Sequence, residues 1–197
     1  MPDINPIKIS GRWREGFALD YHTISSTYVC DDEYGRPIWD TKYTDVGGLL
    51  LRLKYRNDTS VVKELVDAAA AFVRSWKIEV DLIAPVPPSR RRRTRQPVLL
   101  LAGALGERLG VPACLHCISR SKEIPELKNV QDYQTRLRLL QGAHRVEQAV
   151  VMGKKVLLLD DLYRSGATMN EITKTLYDDG RAAAVYAFTI TRTRSKA

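Results

Sequence analysis

Residues 156–168 combine side chains that together suit a phosphorylated sugar. Four apolar residues precede Asp160 and Asp161, and a short loop follows with Ser165, Gly166 and Thr168. A loop that enters a helix presents unpaired N–H groups and the positive end of the helix dipole, which favour a phosphate. Carboxylates at a strand end can accept hydrogen bonds from ribose hydroxyls and help to hold a hydrated Mg²⁺ ion. The alternative is a buried strand followed by a capped helix.

A second feature is the basic run at residues 90–95, directly after an apolar stretch that ends near Pro87. The chain has 31 Lys and Arg against 23 Asp and Glu, which gives a formal net charge of +8. This surplus indicates an anionic ligand, and it fits nucleic acid as well as a phosphorylated small molecule. Composition alone favours a solvated loop for the run itself.

Other residues that could do chemistry have a simpler interpretation. Cys114, His116 and Cys117 resemble zinc ligands, but a structural zinc site usually draws four ligands from two clusters. The remaining cysteine, Cys30, does not supply a second cluster of ligands. A strand over residues 113–118 is therefore favoured over a zinc site, and a disulfide framework is not expected.

Groups in the N-terminal part are also candidates for catalysis. They comprise Asp20, His22 and the acidic residues 31–33. A lone histidine and a charged turn are more often structural or solvated than catalytic.

Periodic patterns predict the elements that must position these residues. Helices are expected over residues 59–76, 97–109, 130–140 and 169–176, and strands over 80–86, 113–118, 156–159 and 184–190. Strand 156–159 should end at Asp160. The alternation predicts an α/β fold with a mainly parallel sheet, helices on both faces, and ligands at the carboxyl ends of strands.

The N-terminal 46 residues differ from the rest of the chain. Short strands at residues 16–20 and 26–30, with a turn at 31–35, predict a small β-rich cap or edge before a domain spanning 47–197. The apolar runs are shorter than the roughly 20 residues of a membrane span, and the N-terminus does not look like a secretory signal. We therefore expect a cytoplasmic protein without a membrane partner.

Residues 156–168 resemble the 5-phosphoribosyl-1-pyrophosphate (PRPP) motif of type I phosphoribosyltransferases. That motif has four apolar residues, two acids, two variable residues, two hydroxyl residues, Gly, any residue, and Thr or Ser. Arg164 stands where the family usually has the first hydroxyl residue. The resemblance implies that Asp160 and Asp161 bind the ribose hydroxyls and hold Mg²⁺ through ribose and water. It assigns the 5′-phosphate to Arg164, Ser165, Gly166, Ala167 and Thr168.

Two further segments extend the resemblance over residues 47–192. Residues 81–93 resemble the pyrophosphate loop, and residues 48–56 resemble the Leu-Lys-Tyr segment before the first helix of ComF-like phosphoribosyltransferases, a bacterial family associated with natural competence. A flexible hood-like loop is expected at about residues 120–145. The pyrophosphate site would comprise Pro87, Pro88, Ser89, Arg90 and Lys54, with Lys128 as a weaker candidate cation.

Three departures predict a divergent branch of that family. Its Arg-Gly-Phe-Asn helix start reads Arg95-Gln96-Pro97-Val98 in this sequence, and its Gly-Ala-Phe reads Gly142-Ala143-His144. The N-terminal cysteine zinc module of the family has no counterpart in this sequence.

The resemblance implies a glycosyltransferase of nucleotide metabolism. It would transfer the 5-phosphoribosyl group from PRPP–Mg²⁺ to a nitrogen acceptor, expected to be a nucleobase, and release pyrophosphate. The alternative is a catalytically silent PRPP-sensing or single-stranded nucleic-acid-binding protein of the competence type, because fold alone does not fix function. A homo-oligomer is expected, and the acceptor has no visible signature.

Overall fold

A five-stranded sheet forms the centre of the protein, whose computed structural model describes residues 1–88, 96–122 and 132–194. The strand order is β1-β2-β9-β8-β5, in which only β1 runs antiparallel to its neighbour. The predicted α/β class with a mainly parallel sheet is therefore confirmed. The strands are β1 (Ile7–Lys8), β2 (Glu15–Tyr21), β5 (Leu82–Pro85), β8 (Lys155–Tyr163) and β9 (Ala184–Arg192).

Helices cover both faces of this sheet, because alternate side chains of the apolar strands point to opposite sides. Leu157 and Leu159 pack against the first group of helices, whereas Val156 and Leu158 pack against the second. The first group is α1 (Asp45–Arg56), α2 (Val62–Trp76), which follows a 3-10 turn at Thr59–Val61, and α3 (Pro97–Leu109). The second is α5 (Gln148–Val151) and α6 (Ala167–Asp178), with α4 (Tyr133–Leu140) lying against α6.

Two antiparallel strand pairs stand apart from the central sheet. Strands β3 (Thr23–Asp31) and β4 (Pro37–Tyr43) pair with each other, as do β6 (Ile118–Arg120) and β7 (His144–Val146). β1 and β2 continue one edge of the central sheet, so the predicted β-rich N-terminal elaboration is confirmed. The domain division at residues 46 and 47 remains a prediction.

Three sequence-based expectations about elements are wrong. The strand over residues 113–118 is reduced to a bridge from Ala113 to Ile83, because β5 is short and the chain leaves its edge after Cys114. Strand β8 continues beyond Leu159 to Tyr163, since β9 pairs with it along the whole length. Residues 48–56 lie inside α1 instead of before a helix.

The start of α1 explains that last difference. The Thr44 hydroxyl accepts a hydrogen bond from the Gly47 N–H, which is a standard N-cap. A side chain on Gly47 would lie 1.9 Å from the His22 carbonyl oxygen, so this turn of helix packs directly on the end of β2. The remaining predicted helices are present, and none in the described ranges is long and apolar enough to cross a membrane.

Candidate active site

The end of β8 carries the two carboxylates that the sequence singled out. Asp160 and Asp161 keep some exposure as whole residues, and the N–H of Asp161 donates to Asp160 Oδ1 at 2.8 Å. Lys54 reaches this point from α1, with its Nζ 2.9 Å from Asp161 Oδ1. Both side chains of this ion pair are more than four-fifths buried, so solvent screens the pair less than it screens a surface pair.

The environment of Asp160 is unfavourable for a charge in the absence of a cation. Burial first and the neighbouring Asp161 carboxylate second raise the pKa of its carboxyl to about 7, against the opposing effects of nearby N–H groups and Lys54. A buried carboxyl next to a second carboxylate favours either protonation or a bound cation. The chemistry of the donor set therefore fits Mg²⁺, which prefers oxygen ligands from one or two carboxylates plus substrate phosphates and water.

The loop after β8 turns sharply into α6 at Gly166. Its φ of +74° lies in the left-handed region, and a Cβ at this position would come within 2.5 Å of the Tyr163 hydroxyl. Tyr163 is held in turn by an edge-to-face contact with Trp13 and by Arg192 over its ring. The glycine is thus required both by backbone conformation and by the close approach of the tyrosine ring.

The residues assigned to the 5′-phosphate form one short loop around this glycine. Arg164 is exposed, Ser165 and Thr168 are half-buried, and Ala167 begins α6. The Gly166 carbonyl accepts from Asn170 in the first helical turn, which leaves the earlier N–H groups of the helix without intrahelical acceptors. The loop therefore combines N–H donors, hydroxyls and a guanidinium in a form that suits an anion.

Arg136 is a further residue at this loop that the sequence did not single out. It extends from α4, and its Nη1 donates to Ser165 Oγ at 2.8 Å. Tyr133 on the same helix accepts from the Asn170 side chain of α6. Helix α4 lies within the predicted hood segment, so an arginine there was visible in the sequence, but its partner 29 residues away was not.

The predicted pyrophosphate loop begins at the same edge of the sheet. β5 pairs in parallel with β8, and the N–H of Val86 donates to the Leu159 carbonyl at 2.8 Å. Pro87 and Pro88 follow, and both are half-buried beside the end of β8. Ser89, Arg90 and Lys128 lie outside the described residues. Lys54, which the sequence assigned to pyrophosphate, contacts Asp161 in this structure.

His22 lies at this edge as well, because β2 runs parallel to β9. Its Nδ1 is 3.3 Å from Thr191 Oγ1, and that hydroxyl lies 3.2 Å from the Asp161 carbonyl oxygen, to which it can donate. Burial lowers the pKa of His22, and Lys54 lowers it further. Asp20 is buried nearby and accepts from its neighbour's N–H, which indicates a structural role.

Sequence and structure comparisons with known proteins identify the fold of this chain. No protein-family model matches the chain. Competence protein ComFC of Bacillus subtilis (strain 168) is 26% identical over 144 residues, which cover 73% of this chain. A crystal structure of adenine phosphoribosyltransferase matches with a TM-score of 0.50 and 13% identity, covering 86% of this chain and 86% of that chain. The protein is ComF-like and has the type I phosphoribosyltransferase fold.

Two further facts describe the extent of these matches. This ComF-like chain spans 58% of the length of ComFC. Adenine phosphoribosyltransferase from Saccharomyces cerevisiae, in a complex that contains adenine, is 13% identical with a TM-score of 0.49, covering 86% of this chain and 84% of that one.

The remaining candidate groups of the ComF-like chain do not join the site. Asp32 holds the β3–β4 turn, where it accepts from the N–H groups of Tyr34 and Arg36. Cys117 is buried, its thiol donates to the Cys114 carbonyl, and burial raises its pKa. Among the residues that the structure describes, no group of three or more His, Cys, Asp and Glu is arranged to hold a metal ion by itself.

The departure from the family's Gly-Ala-Phe has a clear structural consequence. His144 occupies the phenylalanine position in β7 and is only 4% exposed. Neither ring nitrogen has a hydrogen-bond partner among the described residues, and burial lowers the pKa of His144 to about 4, with a contribution from Arg120. The imidazole of His144 therefore behaves as an apolar ring. The adjacent Gly142 N–H donates to Glu171 on α6.

Proposed function

We propose that the protein is a phosphoribosyltransferase that binds PRPP with Mg²⁺ at the carboxyl edge of the sheet. It transfers the 5-phosphoribosyl group to a nitrogen acceptor, for which a nucleobase is the first candidate, and releases pyrophosphate. The observation that carries this proposal is the placement of Asp160 and Asp161 directly before the glycine-centred loop at the start of α6. One carboxylate pair and one anion loop at this spacing suit a ribose 5-phosphate.

The two ends of the ligand would meet different parts of the site. Asp160 and Asp161 would accept hydrogen bonds from the ribose hydroxyls, and residues 164–168 with Arg136 would surround the 5′-phosphate. Pyrophosphate would extend towards Pro87 and Pro88, and Ser89 and Arg90 follow directly in the chain. Lys54 supplies a positive charge beside Asp161. The position of Lys54 indicates that it acts on the ribose and metal side of the site.

Magnesium fits the carboxylate pair together with oxygen atoms of the ligand. Asp160 and Asp161 would hold the ion, and the bound ion would neutralise charge on the departing pyrophosphate. The protein's own residues then orient the ribose and hold its 5′-phosphate, so that the acceptor nitrogen can approach C1. A bond forms between that nitrogen and C1, and the C1–O bond electrons leave with pyrophosphate. Positioning and charge stabilisation supply the rate enhancement.

A second function is favoured by the match to ComFC and by the net charge of +8. In this alternative the protein keeps the PRPP site but senses the ligand without transfer, or binds single-stranded nucleic acid. Such binding would depend on phosphate contacts and would weaken steeply as salt is raised.

Pyrophosphate release separates these functions. The protein is incubated with PRPP, Mg²⁺ and a panel of purines, pyrimidines and other amines, and single-stranded DNA is titrated in parallel at two salt concentrations. Release with one acceptor, lost in Asp160→Asn and retained in Asp67→Asn, supports the transferase. Asp67 is a matched control because it also pairs with a cation, Arg108, but on α2 and α3. Salt-sensitive DNA binding without release supports the alternative.

A further inference from the structure

The β3–β4 hairpin forms an arm beside the candidate active site. It leaves the central sheet at His22, where β2 ends at the same edge as β8, and it returns at Thr44 to begin α1. Its two strands have nine and seven residues, and in the described part of the chain they pair only with each other. We refer to residues 23–43 as the arm.

Both faces of the arm are exposed and carry large apolar side chains. Tyr28 and Trp39 are partners across the strands, with ring centroids 5.8 Å apart in an edge-to-face contact. Trp39 is 51% exposed and Val29 is 58% exposed, although neither is at the turn. The other large exposed residues are Ile24, Tyr34, Ile38 and Tyr43. A concentration of large exposed apolar side chains on one element is typical of an interaction surface.

The contacts within an arm of this kind contribute little stability. An isolated two-stranded hairpin is marginally stable in water, and long exposed edge strands tend to pair with other chains. The arm nevertheless has a defined turn, in which Gly35 has a φ of +70° and Asp32 binds two N–H groups. The turn of this hairpin is well specified, yet the described residues leave its apolar faces exposed. This combination indicates that the faces are covered in an assembly.

The charge of the arm differs in sign from that of the rest of the protein. The arm has four acidic residues and two basic ones, three of the acids being adjacent at residues 31–33. Because the whole chain carries a net charge of +8, the remainder carries +10. An acidic arm and a basic body attract each other, and this complementarity steers association.

We propose that the arm is a dimerisation element that docks on the basic body of a second copy of this chain. A reciprocal two-fold arrangement buries both arms at once and closes the assembly. Direct pairing of two arms would bring their acidic turns together, and it is therefore disfavoured. Nucleic acid is also disfavoured as the occupant, because phosphates would meet the acidic residues 31–33 in spite of the exposed Tyr28 and Trp39.

The first test measures the dissociation constant of the dimer by analytical ultracentrifugation of the full chain. We expect a dimer that weakens as salt is raised, and an increase of at least tenfold in the dissociation constant for the double variant Tyr28→Ser/Trp39→Ser. Met152→Ser is the matched control, since Met152 is 53% exposed but lies after α5. A wild type that stays monomeric, or an unchanged constant in the double variant, would overturn the proposal.

A second variant guards against misfolding of the arm. Asp31→Lys/Glu33→Lys leaves Asp32 and the turn intact, and it should also weaken the dimer by at least tenfold at low salt. Dimerisation that is unaffected by this reversal contradicts docking on a basic surface. Single-stranded DNA that binds the wild type through Trp39 would likewise replace the second copy as occupant.

Crosslinking from Cys30 shows where the arm lies. This thiol is exposed on β3, whereas Cys117 is buried. A thiol-to-amine crosslinker is applied to a mixture of unlabelled and ¹⁵N-labelled protein, and mixed-isotope peptides report links between copies. Links from Cys30 to lysines of the other copy's body support the proposal. Links within one copy only, in a sample that is dimeric, would overturn it.

Discussion

The edge of the sheet at residues 160–168 and the arm at residues 23–43 lie side by side but are built in opposite ways. At the edge, Arg136 contacts Ser165 and Lys54 pairs with Asp161, so that both partners come from elements distant in sequence, and Gly166 lies against the Tyr163 ring within the same turn. In the arm, the two strands pair only with each other within the described residues, and contacts with the rest of the chain lie at its base, where Arg194 donates to the Thr23 carbonyl and Tyr43 packs against His22. Long-range contacts within the chain therefore hold the edge of the sheet, whereas the arm presents exposed apolar side chains.

This difference separates two kinds of surface that look alike in composition. Both regions contain adjacent acids and a glycine with positive φ, but in the arm these groups are largely exposed, whereas at the edge Asp160 is buried beside Asp161 and Gly166 lies against the Tyr163 ring. Strain and like charge that are retained within a well-packed region point to a ligand. Exposed apolar groups on a self-contained hairpin point to a protein surface.

The largest effect is expected at Gly166. Replacement by alanine forces a side chain into the left-handed region and against the Tyr163 ring, which should cost about 2–4 kcal/mol in the free energy of unfolding and abolish PRPP binding. Urea denaturation and calorimetry measure the two effects. Gly103→Ala is the control, because a Cβ there meets nothing within 4 Å in the middle of α3. It should stabilise by up to about 1 kcal/mol, and equal destabilisation by both variants would refute the role of the turn.

The buried imidazole of His144 in β7 predicts that the stability of the protein depends on pH. The pKa of His144 is about 4 in the folded protein against 6.5 for a free side chain, so the unfolded chain binds more protons between these values. Stability from this group is therefore full above pH 6.5 and falls by about 3 kcal/mol as the pH drops to 4. His144→Phe should remove this part of the slope. Urea midpoints at several pH values test it, with the exposed His116→Gln as a control that leaves the slope unchanged.

Arg136 should matter for the ligand more than for the fold. Arg136→Met removes the guanidinium that contacts Ser165, and PRPP affinity should fall about tenfold, or about 1.4 kcal/mol. Arg138→Met on the same helix is the control, since Arg138 is exposed. Calorimetry at fixed Mg²⁺ compares the two variants. An equal loss in both would mean that only the general positive field of the hood contributes.

The smallest effect on folding is expected in the arm. Trp39→Ser, measured at a protein concentration low enough to exclude association, should change the global free energy of unfolding by less than about 0.5 kcal/mol. Urea denaturation measures this change. A loss of several kcal/mol would show that Trp39 supports the core of its own chain, and the contrast between arm and edge would fail.

The sequence predicted the elements better than their contacts. Local periodicity identified α2, α3 and α6 and the apolar part of β8, since these patterns follow directly from burial. It placed the end of β8 at Asp160, because the pairing of Asp160 to Tyr163 with β9 depends on residues 29 positions away. It also missed the bridge-only contact of Ala113, where the short β5 limits pairing.

The candidate site was predicted in the same uneven way. The carboxylates and the glycine loop are contiguous in sequence, so a motif could identify them. The contacts of Arg136 with Ser165 and of Lys54 with Asp161 had no signal in the sequence, because both side chains reach these partners only through the packing of α4 and α1. Asp20 and residues 31–33 looked similar to catalytic acids until burial and the hairpin turn defined their environments.

Calorimetric titration of PRPP in the presence of Mg²⁺ tests the central claim most directly. Asp161→Asn removes one of the two carboxylates at the end of β8 and should weaken binding by at least tenfold relative to the wild type, whereas Asp67→Asn should leave it unchanged. If the wild type and Asp161→Asn bind PRPP–Mg²⁺ with equal affinity, or neither binds, the edge of the sheet is not the site proposed for this ligand.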